Sequence, residues 1–258
     1  DRDGPGGTAS ISVGNAPIKG LLQPDAIASF EVDGTTYFIT ANEGDSRIVS
    51  SAMLDDPALN EARAGSLQDG APADHARVNV DTVWSSSEEL YAFGGRGFSI
   101  FRQNADGTIV KVEETGGDFE QIIASLPNAG TVFNGENGGG FDSRSDNKGA
   151  EPEGVTVGEV NGVLHAFVSL ERLGGIMVWD ISNPEDARFV RYMPPTSEDY
   201  GPEVIKFVSA EESPTGRAMV LTANEISGGV TVYEVSDLTP ISAVQGTSAT
   251  SPIIGQTV

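Results

Sequence analysis

The sequence predicts an all-β fold: a β-propeller of antiparallel four-stranded blades. Three observations carry this. A plan of Pro-acid, strand, tight turn, strand and Glu occurs three times along the chain. Asp-Gly and Asn-Gly pairs sit between apolar runs, where a two-residue hairpin turn needs positive φ at both central positions. Thirty-two glycines in 258 residues favour turns over long helices.

The first unit starts at Gln23-Pro24-Asp25-Ala26-Ile27, turns at Asp33-Gly34, runs through Tyr37-Phe38-Ile39-Thr40 and ends at Asn42-Glu43. The second starts at Glu151-Pro152-Glu153-Gly154-Val155, turns at Asn161-Gly162 and ends its second strand, His165 to Leu170, at Glu171. The third starts at Gly201-Pro202-Glu203-Val204-Ile205 and ends at Asn224-Glu225. Pro and Glu stand 19 residues apart in the first two units and 23 in the third, where Ser213 to Gly216 replaces the short turn. Gly174-Gly175 and Gly228-Gly229 then open third strands, and Arg188 to Tyr192 reads as a fourth. Three or four strands in about 50 residues is the period of a propeller blade.

A weaker unit is expected from Glu89–Phe93, Gly97–Phe101 and Thr108–Val112, without the Glu of the others, which brings the visible blades to about four. Phe119 to Leu126 has the pattern of a short helix. Residues 50–74 and 134–150 read as loop excursions, the first with a short helix near Pro57 to Ala64. Residues 240–258 form a tail or a closing strand, and residues 1–258 make one partial propeller domain. The chain opens at Asp1 with no Met before Met53, which is expected of a processed or partial polypeptide.

Charge narrows the function. Thirty-eight acidic residues against 15 Lys and Arg give a net charge of −23, which argues against nucleic acid as a partner and suits solubility or attraction of cations. There is no cysteine, so disulfides and thiolate metal sites are excluded. No apolar run approaches the roughly 20 residues that span a bilayer. Two histidines, His75 and His165, leave little material for a Ser-His-Asp triad or a zinc site.

Asp25, Glu153 and Glu203 begin first strands, and Glu43, Glu171 and Glu225 end second strands, so all six could converge at one mouth of a channel. Two roles stay open for them. They could accept backbone N–H bonds and tie blades together, the blander role and slightly the stronger, or they could ligate a hard cation such as calcium, with Asn42 and Asn224 alongside. Arg47, Arg96, Arg144 and Arg172 could grip a phosphate or carboxylate, or pair with neighbouring acids. Asp142-Ser143-Arg144-Ser145-Asp146-Asn147 lacks the sixth-position Gly of an EF-hand and reads better as a surface loop than as a calcium site.

Several of these strings together resemble the bacterial choice-of-anchor I family, related to the mesenchyme-specific cell-surface glycoprotein domain. They are Gln23 to Phe30, Thr40 to Arg47, Tyr91 to Arg96, Phe141 to Asp146, Glu151 to Val155, Leu170 to Arg172 and Gly174 to Val178, within residues 20–236. The Ala76 to Asn79 region is shorter than that family's usual pattern, and the N-terminal part of its domain is absent. The resemblance implies a secreted or surface-anchored, seven-bladed propeller in a longer protein.

The expectation is a structural or binding role in surface attachment or assembly, with calcium as a stabilising ion and with remaining blades or a partner chain completing the ring. The alternative, from the alkaline phosphatase and phytase-like labels of the family, is a calcium-dependent phosphoesterase acting on a phosphorylated small molecule. A third, weaker idea is a one-metal propeller acting on a sugar or lactone.

Overall fold

The computed structural model describes residues 10–14, 16–46, 60–67, 75–137, 139–196, 198–235 and 238. Arg47, most of the 50–74 excursion and the 240–258 tail lie outside them. In chain order come β1 (Ile18–Gly20), β2 (Ala26–Val32), β3 (Thr35–Asn42), β4 (Glu61–Arg63), α1 (Ala64–Leu67), β5 (Asn79–Asp81) and β6 (Leu90–Ala92). β7 (Gly97–Gln103), β8 (Ile109–Glu114), α2 (Asp118–Ser125) and α3 (Ala129–Val132) follow. The remaining strands are β9 (Pro152–Val160), β10 (Val163–Leu170), β11 (Ile176–Asp180), β12 (Arg188–Met193), β13 (Pro202–Val208), β14 (Met219–Asn224) and β15 (Gly229–Glu234).

Three of the four described sheets are antiparallel meanders, ordered β2-β3-β7-β8, β9-β10-β11-β12 and β13-β14-β15. The hairpins form where expected. Asp33, Gly34, Asn161 and Gly162 all have positive φ, as the mirror-image turn demands. The predicted helix forms as α2, and residues 134–150 are a loop with one isolated bridge, Glu136 to Gly139.

Two expectations need correction. The weaker unit is not a separate blade. β7 and β8 are the third and fourth strands of the first sheet, because β7 pairs with β3 in register from Tyr37↔Arg102 to Asn42↔Gly97. Leu90 to Ala92 belongs instead to a small mixed sheet, β1-β6-β5-β4, in which β1 runs parallel to β6. The first sheet is thus interrupted after its second strand, and Gly94-Gly95 holds the place that Gly174-Gly175 and Gly228-Gly229 hold in the others. The second correction is local: residues 61–63 are strand β4, and the helical turn α1 falls after them.

The sheets stack with the β9 sheet in the middle. Its alternation is buried on both faces: Ala166, Val168, Leu170, Met177 and Trp179 pack toward the first sheet, and Phe167, Ile176 and Val178 toward the third. Trp179 stacks on Phe119 of α2 with centroids 5.5 Å apart and meets Phe98 of β7 edge-on at 5.2 Å. The first strands lie side by side, with β9 between β2 and β13. Gly158 permits that approach, because a Cβ there would lie 2.3 Å from the Phe207 ring of β13. The Gly158→Ala variant should therefore lose about 1–3 kcal/mol of stability. The loss is read as a lower urea midpoint at unchanged slope, with partial recovery when Phe207→Leu is added.

Candidate functional site

The acidic side chains reach one end of the sheets through backbone irregularities. In β9, Glu153 and Gly154 together oppose Ser169, because Pro152 pairs with Leu170 and Val155 with Val168. In β13, Glu203 is skipped between Pro202↔Asn224 and Val204↔Ala223. Such bulges re-aim a side chain out of the strict alternation. The residue before each Pro has positive φ: Gln23 at 29°, Glu151 at 56° and Gly201 at 69°. The same sharp entry thus precedes all three first strands.

All six predicted carboxylates come together, with Glu151 as a seventh. Carboxylate oxygens lie within 4.8 Å of one another in three overlapping groups: Asp25, Glu43 and Glu153; Glu43, Glu151 and Glu171; Glu171, Glu203 and Glu225. Glu43, Glu151, Glu153 and Glu171 are buried, whereas Asp25, Glu203 and Glu225 are exposed.

The cations stand at one side of this chain of acids. Lys148, buried, reaches Glu43 at 2.5 Å, Asp45 at 3.0 Å and Glu151 at 3.1 Å. Arg144 pairs with Glu151, and Arg172 donates to Glu151 at 3.3 Å and forms an ion pair with Glu171 at 3.1 Å. Burial would raise Glu151, but Lys148, Arg144 and Arg172 overcome it and hold its carboxyl below the usual range. Burial also opposes the charge on Lys148, yet Glu151, Glu43 and Asp45 win and raise its pKa.

For Glu153, which has no ion pair among the described residues, and for Glu43 and Glu171, whose cations do not offset burial, the balance reverses. Burial, followed by Glu43, Asp25, Glu171 and Glu203, pushes Glu153 up to about 9. Burial and the adjacent Glu151 push Glu171 up to about 8. Glu43 rises to about 6, through burial that Lys148 only partly offsets. Glu153 Oε2 is buried and has no hydrogen-bond partner. Oxygen-only donors, crowded and partly unsatisfied, fit a hard cation better than a soft metal.

Among the described residues, the other predicted ones have partners already. Asn42 Nδ2 donates to Ser99 Oγ at 2.9 Å, and Asn224 Nδ2 to Thr231 Oγ1 at 2.7 Å, both inside their own sheets. Arg96 donates to Glu120 at 2.9 Å and to the Ser145 carbonyl at 2.8 Å. Sequence reasoning missed Glu151 and Lys148 as members of the cluster. Glu151 was readable only as the residue before Pro152, where the other units have Gln23 and Gly201. Lys148 lies in an excursion with no counterpart in the repeat.

These features define an acidic all-β protein whose repeated sheets gather carboxylates at one end. The chain belongs to the choice-of-anchor I domain family, whose profile matches residues 1–184. That family is associated with cell-surface and extracellular proteins, and no described helix is long and apolar enough to cross a membrane. Gigasin-3a of Magallana gigas is 26% identical over 171 residues, which cover 58% of this chain and 59% of Gigasin-3a. The chain thus spans less than two thirds of that relative. Among solved structures, a protein of Bacteroides uniformis provisionally assigned as a 6-phosphogluconolactonase aligns with TM-score 0.37 and 14% identity, covering 83% of this chain and 54% of that one. A functionally unknown protein of Desulfotomaculum acetoxidans aligns with TM-score 0.28 and 14% identity, over 84% and 72% of the two chains. Neither likeness informs the chemistry of the site.

Two substitutions in the cluster should act with opposite sign. Glu151→Ala removes the carboxylate that Arg144, Lys148 and Arg172 share, and should cost about 3–5 kcal/mol, measured by chemical denaturation. Glu153→Gln should stabilise the metal-free protein at alkaline pH. The sign follows from the raised pKa values of Glu153 and Glu171. Their contribution is full below the unfolded value of 4.5 and is lost as pH rises toward about 9 and about 8 respectively. With EGTA present, Tm should fall from mildly acid to alkaline pH, and Glu153→Gln should flatten that fall.

Proposed function

We propose that the chain is part of a β-propeller of a secreted or surface-attached protein, acting in attachment or assembly, with a calcium ion held by the gathered carboxylates. The carrying observation is the convergence of acids from three successive sheets on one place, with Glu153 Oε2 buried and unpartnered among them. Three meander sheets with adjacent first strands support the propeller reading, each sheet being one blade. Asp25, Glu43 and Glu153 form the group that holds this unpartnered oxygen, and none of the three pairs with an arginine, although Glu43 also holds Lys148.

The ring is completed by further blades or by a partner chain. The register puts Val204, Ala223 and Val230 on the outer face of the third sheet, and beside them Leu221, Val232 and Lys206. Val204, Val230 and Val232 are 61%, 68% and 42% exposed. Three exposed valines on one face are surface that a neighbouring blade or chain would cover. Phosphate binding, the phosphoesterase alternative, would require Arg96, Arg144 and Arg172 to leave the carboxylates they now hold.

Calcium in excess should raise Tm by about 5–10 °C, EGTA should reverse the rise, and Glu153→Gln should abolish most of it. Equal melting with calcium and with EGTA would overturn the assignment of the ion.

A further inference from the structure

A second group of buried oxygens, outside the seven converged carboxylates, lies in the 134–150 loop. Asp142 and Asn134 are each 1% exposed. Their side chains meet at one hydroxyl: Ser145 Oγ donates to Asp142 Oδ1, and Asn134 Nδ2 donates to Ser145 Oγ at 3.1 Å. The other oxygen of each, Asp142 Oδ2 and Asn134 Oδ1, is buried with no hydrogen-bond partner. No ion pair reaches Asp142 among the described residues, since the neighbouring Arg144 pairs with Glu151.

A carboxylate removed from water with one neutral donor and no counter-charge is costly. The unpartnered amide carbonyl of Asn134, linked to that carboxylate through Ser145 Oγ, adds to the cost. A neutral water would satisfy the hydrogen bonds but leave the charge. A cation satisfies both. The sequence pattern favours a surface loop here; the structure buries its acid instead.

We propose that Asp142 Oδ2 and Asn134 Oδ1 ligate a hard, oxygen-seeking cation of the calcium class, separate from the ion at Glu153, with Ser145 orienting the Asp142 carboxylate. The same loop carries Arg144 and Lys148 to Glu151. An ion at Asp142 therefore orders the segment that supplies the cations to the converged carboxylates.

The site is tested by counting calcium bound per chain, with isothermal titration calorimetry and equilibrium dialysis at pH 7, on the whole chain. The wild-type count should fall by one in Asp142→Asn and independently by one in Glu153→Gln. Loss in Asp142→Asn alone upholds this site while overturning the assignment at Glu153. An undiminished count in folded Asp142→Asn overturns this site and assigns the place to water. If circular dichroism shows that Asp142→Asn does not fold, Ser145→Ala decides. It keeps both ligand oxygens and should weaken one calcium affinity about 10–100-fold; unchanged affinity overturns the proposal.

Discussion

The burial of Glu151 is the constraint on which the rest of this end of the molecule depends. Its carboxylate is wholly buried and is held ionised by Lys148, Arg144 and Arg172. Two of those cations come from the 134–150 loop and one from the end of β10, so a single anion joins an excursion to the central sheet. Its backbone serves too: the Glu171 N–H donates to the Glu151 carbonyl at 2.8 Å, closing the sharp entry into β9. A charge so enclosed is stable only while all its partners are in place.

From that anchor the electrostatics divide. Around Lys148, Arg144 and Arg172 the charge of Glu151 is neutralised from within the chain. Glu153 has no ion-pair partner among the described residues, and burial drives it toward protonation, as it does Glu43 and Glu171 despite the cations those two hold. A protein in this state can shed the strain by holding protons or by holding a metal, and the two compete for the same oxygens. The acidic composition is therefore more than a solvated surface, since four of the seven gathered acids are buried. Asp142 repeats the problem on a smaller scale, a buried acid with no ion pair among the described residues.

The strands, the hairpin turns, α2 and the six repeated acids were readable because each depends on a short window. Alternation and positive-φ turns are local, and three copies of one plan allow each copy to check the others. The weaker unit misled for a definite reason. An insertion of some 50 residues separates β3 from β7, so the first sheet's halves looked like two units until the Tyr37↔Arg102 register joined them. Asn42 and Asn224 were rightly marked as equivalent, but their amides bond across their own sheets to Ser99 and Thr231.

Chain order was enough to establish which side chains recur, where the chain turns and that the protein is acidic and all-β. Which acids are charged was left to the tertiary structure. Lys148 meets Glu43 across 105 residues of sequence, and such a pairing has no periodicity to betray it. Ionisation follows burial and distance, and these exist only once the sheets have stacked and the bulges at Glu153 and Glu203 have turned their side chains to the same end.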